Sequence, residues 1–202
     1  MTTPRDLLTV ALDVAPDRQV EQGDLSLALA GAELIDLVGA HALTLEEEAI
    51  VPGAERALGD RLLDEAQSVL VRQAPYESVE DWLWRRGRGL AGVYVAALEA
   101  DGEVAGRRRG WLPLRSGPTV RHDSPEHRRA TERWTSGEPV LTVLGAAAGL
   151  GDEAAAEDLA DIGEGAVATV LNAVHDAVAE LGAVRQRKQI EEDAFDNIWR
   201  AP

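Results

Sequence analysis

The 202-residue sequence contains no cysteine, which excludes disulfides, thiolate zinc sites, iron–sulfur ligation and cysteine nucleophiles together. Aromatic residues are scarce at 4%, so a core has to be assembled mainly from aliphatic and small side chains. Acidic residues outnumber basic ones by 36 to 20, giving a formal net charge of −16. Such a surface repels phosphates, and nucleic acid is excluded as a general partner. No apolar run approaches the length of a membrane span; the best, Val140 to Leu150, is far too short. The opening MTTPRDLLTVALD lacks the basic start and long apolar run of a secretory signal. A cytoplasmic protein is therefore expected, with any membrane contact peripheral.

Catalytic signatures are missing as well. There is no Walker loop, none of the six serines sits in a GxSxG elbow, and no HExxH accompanies the four histidines, His41, His122, His127 and His175. His122 and His127 are five apart and so do not share a helix face. Surface or capping histidines are the expectation, with no metal site. The runs Glu46-Glu47-Glu48 and Glu191-Glu192-Asp193 read as solvated turns or helix ends. Gly87-Arg88-Gly89-Leu90-Ala91-Gly92 fits the dinucleotide fingerprint letter for letter. That chemistry needs a preceding strand, whereas Val79 to Arg86 reads as helix, so the match is accidental. No catalytic residue and no cofactor are expected.

Against these absences stands a long amphipathic pattern at residues 24–38. Leu25, Leu29, Ala32, Leu34, Ile35, Leu37 and Val38 recur at three- and four-residue spacing. Ala28, Gly31 and Ala32 make one face small enough for another helix to approach closely. The spacing predicts a central, buried packing helix ended by Gly39. Before it, Thr3, Pro4 and Asp6 mark a short helix to about Leu12. After it, Ala42 to Val51 alternates like a hairpin and is stopped by Pro52-Gly53.

Residues 54–73 are helical in pattern, with Leu58, Leu62, Leu63, Ala66, Val69 and Leu70 on one stripe. Ser78, with Asp81 three positions on, opens a helix to Arg86. Leu90 to Ala100 carries Leu90, Val93, Tyr94, Ala97 and Leu98 on one face. A β-hairpin over Glu103 to Leu114 follows, with Arg107-Arg108-Arg109-Gly110 as its turn. Helices are then expected at 125–136, 139–150 and 152–192, the last broken near Gly163, Gly165 and Gly182. Length and apolar content fit one domain over 1–202. The fold class is mainly α with small β-hairpins.

Arginine is unevenly placed. Residues 81–133 hold 11 of the 20 basic residues against seven acidic ones, a local charge of +4 in an acidic chain. One basic face toward an anionic surface would follow; arginines paired with the acidic excess are the alternative. Trp111 comes directly after the arginine turn. A tryptophan beside arginines suits a lipid headgroup interface, where the ring is half-buried and the guanidiniums meet phosphates. Its alternative is a place in the core, the role expected of Trp82, Trp84, Trp134 and Trp199.

Asp6-Leu7-Leu8-Thr9-Val10-Ala11-Leu12-Asp13 followed by Leu27-Ala28-Leu29-Ala30-Gly31-Ala32-Glu33-Leu34-Ile35-Asp36-Leu37 resembles the Golgi phosphoprotein 3 family, its bacterial members in particular. Leu62 to Ala66, Val79 to Leu83 and Val140 to Leu150 continue the likeness in the family's order, over nearly the whole chain. The resemblance implies a single helical domain with a four-helix core and a protruding hairpin at about 104–114, and the missing catalytic signatures point to a non-enzymatic role. It also implies a peripheral adaptor that binds phosphatidylinositol 4-phosphate. The family's lipid pocket has a tryptophan and an arginine at positions that here hold Glu21 and Ala30. Its second pair, both arginines, falls at about Arg88 and Ala91, with Arg85 and Arg86 nearby.

The expected function is a membrane-binding adaptor for anionic or phosphoinositide-like lipid. Arg85, Arg86, Arg88, Arg107, Arg108, Arg109 and Trp111 are its lipid-binding residues. The alternative is a soluble scaffold that uses the 104–114 hairpin to bind a protein partner or to form a homo-oligomer.

Overall fold

A computed structural model describes residues 2–14, 20–104, 124–151 and 164–200. Among them, eight helices and one two-stranded sheet follow in the order α1 (Thr3–Val14), α2 (Gln22–Gly39), β1 (Leu43–Glu46), β2 (Ala49–Pro52), α3 (Arg61–Ser68), α4 (Val79–Arg86), α5 (Leu90–Ala100), α6 (Pro125–Thr135), α7 (Pro139–Ala147) and α8 (Ala166–Arg200). The mainly α fold expected from the sequence is the one observed.

Helix α2 is the hub, packed against α1, α3, α4, α5, α7, α8 and β1. Every residue from Leu25 to Ile35 is buried, so the helix is enclosed on all sides rather than along one stripe. Small residues make that possible. A Cβ on Gly31 would come within 2.3 Å of Val174 Cγ2 on α8, a distance no packed pair tolerates. Leu34 is fully buried. We predict that Leu34→Ala lowers stability by about 2–5 kcal/mol, the usual cost of such a cavity. An unchanged thermal midpoint in circular dichroism would show that α2 is not the centre of the core.

Local chemistry sets several boundaries. Asp60 accepts from the Leu62 and Leu63 N–H groups at 2.9 and 3.2 Å and so caps α3. Gly59, at φ +78, turns the chain just before it. The helical pattern expected over 54–73 is thus corrected to Arg61–Ser68, because cap and turn outweigh the helix propensity of residues 54–58. Ser78 Oγ accepts from the Asp81 N–H at 3.0 Å and starts α4 where expected. The hairpin pairs Leu43 with Pro52 and Leu45 with Ile50, and is closed by a turn at Glu47 and Glu48. It also pins the approach to α4: Val79 N–H donates to Glu48 O and Ile50 N–H to Glu77 O, both at 2.9 Å.

Helix α8 departs from expectation in two ways. It runs through Gly182 without a break, and it begins at Ala166, directly after Gly165 at φ +130, while residues 152–163 of the expected stretch lie outside the described residues. It is also the one described helix long and apolar enough, at mean hydropathy 1.3, to cross a membrane. Its apolar side chains Val170, Leu171, Val174 and Ala177 are instead buried in the core. The expected second hairpin, with its turn at Arg107 to Gly110, lies outside the described residues.

Candidate functional site

The expected site begins at the C-terminal end of α4. Arg85 is exposed, but its guanidinium is held by Glu77, Nε to Oε1 at 2.6 Å and Nη2 to Oε2 at 2.7 Å, and lies 5.1 Å from the centre of the Trp82 ring. The Glu77 hydrogen bonds raise its pKa above the ordinary arginine value. Arg86 turns the other way. Its side chain is only 11% exposed and forms a bidentate pair with the fully buried Glu33 of α2, at 2.8 and 2.9 Å. Its third bond goes to Glu65 of α3 at 2.8 Å.

Tyr94 of α5 completes this network by donating its hydroxyl to Glu33 Oε1 at 3.0 Å. Burial pushes the Glu33 carboxyl above the usual range, and the hydrogen bond and charge of Arg86 pull it back. Burial likewise disfavours the Arg86 guanidinium, yet its pairs with Glu33 and Glu65 hold its pKa above the ordinary arginine value. The two groups form a buried, hydrogen-bonded pair that, with Glu65 and Tyr94, ties α2, α3, α4 and α5 together.

Arg88 is exposed in the turn between α4 and α5 and makes no hydrogen bond or ion pair with the described residues. The turn is tightly shaped. A Cβ on Gly87 would meet Leu83 O at 2.5 Å, and Gly89 sits at φ +70 as the N-cap of α5, a conformation that favours glycine. With no side chain on Gly89 to cap the helix, Ser26 of α2 accepts the Ala91 N–H at 3.2 Å from across the fold. The preceding element is helix, as read from the sequence, so the glycine pattern here serves a helix–helix turn.

The other half of the family pocket is occupied differently. Glu21 is exposed, whereas Ala30 is fully buried with its carbonyl accepting the Trp82 indole N–H at 3.2 Å. Arg185 of α8 reaches this corner, with Nη2 at 2.8 Å from both carboxylate oxygens of Asp24 and Nη1 3.8 Å from Glu21. Sequence reasoning missed Arg185 and Glu33. The signal for Glu33 is its position, a lone carboxylate inside the apolar pattern of α2 that demands a buried cation.

Thus, of the expected lipid-binding residues, Arg85 and Arg88 share the exposed end of α4 and Arg86 faces the core. Arg107, Arg108, Arg109 and Trp111 lie outside the described residues. Trp82 is fully buried, and Trp84 and Trp134 pack against the core. Arg133, also in the basic stretch, is paired with Asp6 at 2.5 Å and Glu138 at 3.0 Å. His127 contacts Asp13 at 2.8 Å, and His41 and His175 are exposed. Among the described residues no three His, Asp or Glu side chains are grouped to hold a metal ion.

A central buried helix ringed by others, with a hairpin directly after it, defines a mainly α fold with a polar network threaded through its core. The family model for Golgi phosphoprotein 3 (GPP34) matches residues 4–186, and the chain belongs to that family. No curated protein matches it significantly.

Proposed function

We propose that the protein is a non-enzymatic, peripheral membrane-binding adaptor that recognises anionic lipid through the exposed end of α4 and the arginine-rich segment 104–114. Family membership supports the reading, and the observation that carries it is Arg88. In a chain of net charge −16, where Arg85, Arg86 and Arg133 are held by carboxylates, Arg88 is exposed without such a partner among the described residues. It stands at the N-terminus of α5, an 11-residue helix whose positive end favours a phosphate. Arg107, Arg108 and Arg109 would add charge for the membrane surface, with Trp111 as the interfacial wedge.

Strict headgroup selection is not part of the proposal. Glu21 and Ala30 replace the tryptophan and arginine of the family pocket, and Ala30 is too deeply buried to face a ligand. Binding should therefore follow surface potential. We predict equal flotation with liposomes carrying phosphatidylinositol 4-phosphate or phosphatidylserine at matched surface charge, no flotation with neutral liposomes, and weaker flotation of Arg88→Glu. A wild type that ignores anionic liposomes would overturn the lipid reading. A clear preference for one headgroup at matched charge would mean that other residues rebuild the pocket.

A further inference from the structure

The stripe of α8 that faces α2 does not end where α2 ends. Val170 and Val174 lie where a Cβ on Gly31 would fall, and Leu181 lies against Gly23 in the first turn of α2. The last polar tie between α8 and the rest of the described structure is Arg185 with Asp24 and Glu21. From Gln186 to Asp193 every residue is exposed, eight positions or more than two full turns. Ile190 is 60% exposed and Val184 46%. A helical stretch this short holds little stability of its own and gains it by packing.

The sequence of this overhang is a charge palindrome. Arg187 and Lys188 precede Gln189-Ile190, and Glu191 and Glu192 follow. About a centre between Gln189 and Ile190, Lys188 mirrors Glu191 and Arg187 mirrors Glu192. Lys188 and Glu191, three positions apart, lie on one face of the helix. Two copies laid antiparallel across a twofold axis would place each basic pair on the other's acidic pair. A parallel arrangement would set arginine on arginine. Among the described residues of one chain these charges have only weak partners, such as Lys188 with Glu192 at 3.9 Å and with 72% and 62% exposure.

We propose that residues 186–193 of α8 form an antiparallel, self-complementary interface with a second copy of this chain. The interface is isologous, each basic pair meeting its acidic counterpart twice. Because the seam is short and its centre charged, the dimer is weak, concentration-dependent and salt-sensitive. The surface is distinct from the 104–114 segment and needs no lipid.

Sedimentation velocity over a concentration series tests it. The wild type should shift from monomer to dimer as concentration rises, and high salt should reverse the shift. Arg187→Glu with Lys188→Glu makes the face wholly acidic, and Glu191→Lys with Glu192→Lys makes it wholly basic. Each variant alone should remain monomeric, with its self-association at least tenfold weaker, while an equimolar mixture should regain the dimer. Unchanged circular dichroism melting of both variants confirms that the fold is intact. A wild type monomeric at every concentration, an acidic variant that still dimerises, or a mixture that does not would each overturn the proposal. So would protection of residues 186–193 from proteolysis only when liposomes are added, which would make the occupant a membrane. Failure of liposome flotation alone bears on the lipid reading and leaves this interface standing.

Discussion

Replacing Glu33 with alanine should destabilise the protein by about 3–5 kcal/mol, because it strands the Arg86 guanidinium in a site where it is 11% exposed. Glu65, 47% exposed at the rim of the network, can offset only part of that loss. For a chain of this size the thermal midpoint should fall by roughly 6–20 °C, at about 2–4 °C per kcal/mol. The double variant Glu33→Leu with Arg86→Met should recover most of the loss, since it removes both charges and fills their space with apolar volume. Circular dichroism melting of the two variants is the measurement. If Glu33→Ala melts like the wild type, the pair does not hold α2 to α4, and Arg86 becomes available to the lipid surface. The outcome therefore decides which arginines at the end of α4 serve the fold and which serve the site.

Replacing Arg107, Arg108 and Arg109 together with alanine should weaken binding to anionic liposomes by about two powers of ten, since each arginine near such a surface is worth on the order of 1 kcal/mol. Added salt should mimic the substitution, as the Debye length shortens from about 10 Å at 0.1 M to about 3 Å at 1 M. A mainly apolar contact through Trp111 with a protein partner would resist salt. Flotation of wild type and triple variant at low and high salt separates these cases, with the melting temperature of the variant as the control for folding. If the variant floats as well as the wild type, the segment is not the membrane contact. A soluble scaffold then becomes the better reading, and Arg88 loses the neighbours proposed for it.

The two predictions concern arginines that look alike in the sequence and have different expected uses. Arg85, Arg86 and Arg88 sit within four residues, and nothing local tells them apart. Arg86 is claimed by Glu33, 53 positions away, and Arg85 by Glu77, eight positions away on the same side of α4. Arg88 falls in the turn, beyond the reach of either. Likewise Arg185 meets Asp24 across 161 positions, a pairing set only when α8 lies along α2. Long-range ion pairs leave no period in a sequence, so the basic stretch at 81–133 could be seen as a charge asymmetry but not divided into structural and free arginines.

What the sequence determined by itself was the part governed by neighbours. Apolar spacing and capping residues gave α5 its bounds at Leu90 and Ala100, α4 its start at Ser78, and α2 its central place, because caps and helical periods act within a few residues. Local rules failed where two of them competed, as at Gly59 and Asp60, which shorten the helical pattern of 54–73, and at Gly182, which α8 passes through unbroken. The tertiary structure alone decided that Glu33 is paired with Arg86, that Ala30 is buried where the family carries an arginine, and that α8 continues beyond its partner with a stripe uncovered. Each depends on which helices come to lie side by side, and that is fixed by the close packing of small residues such as Gly23 and Gly31 against α8.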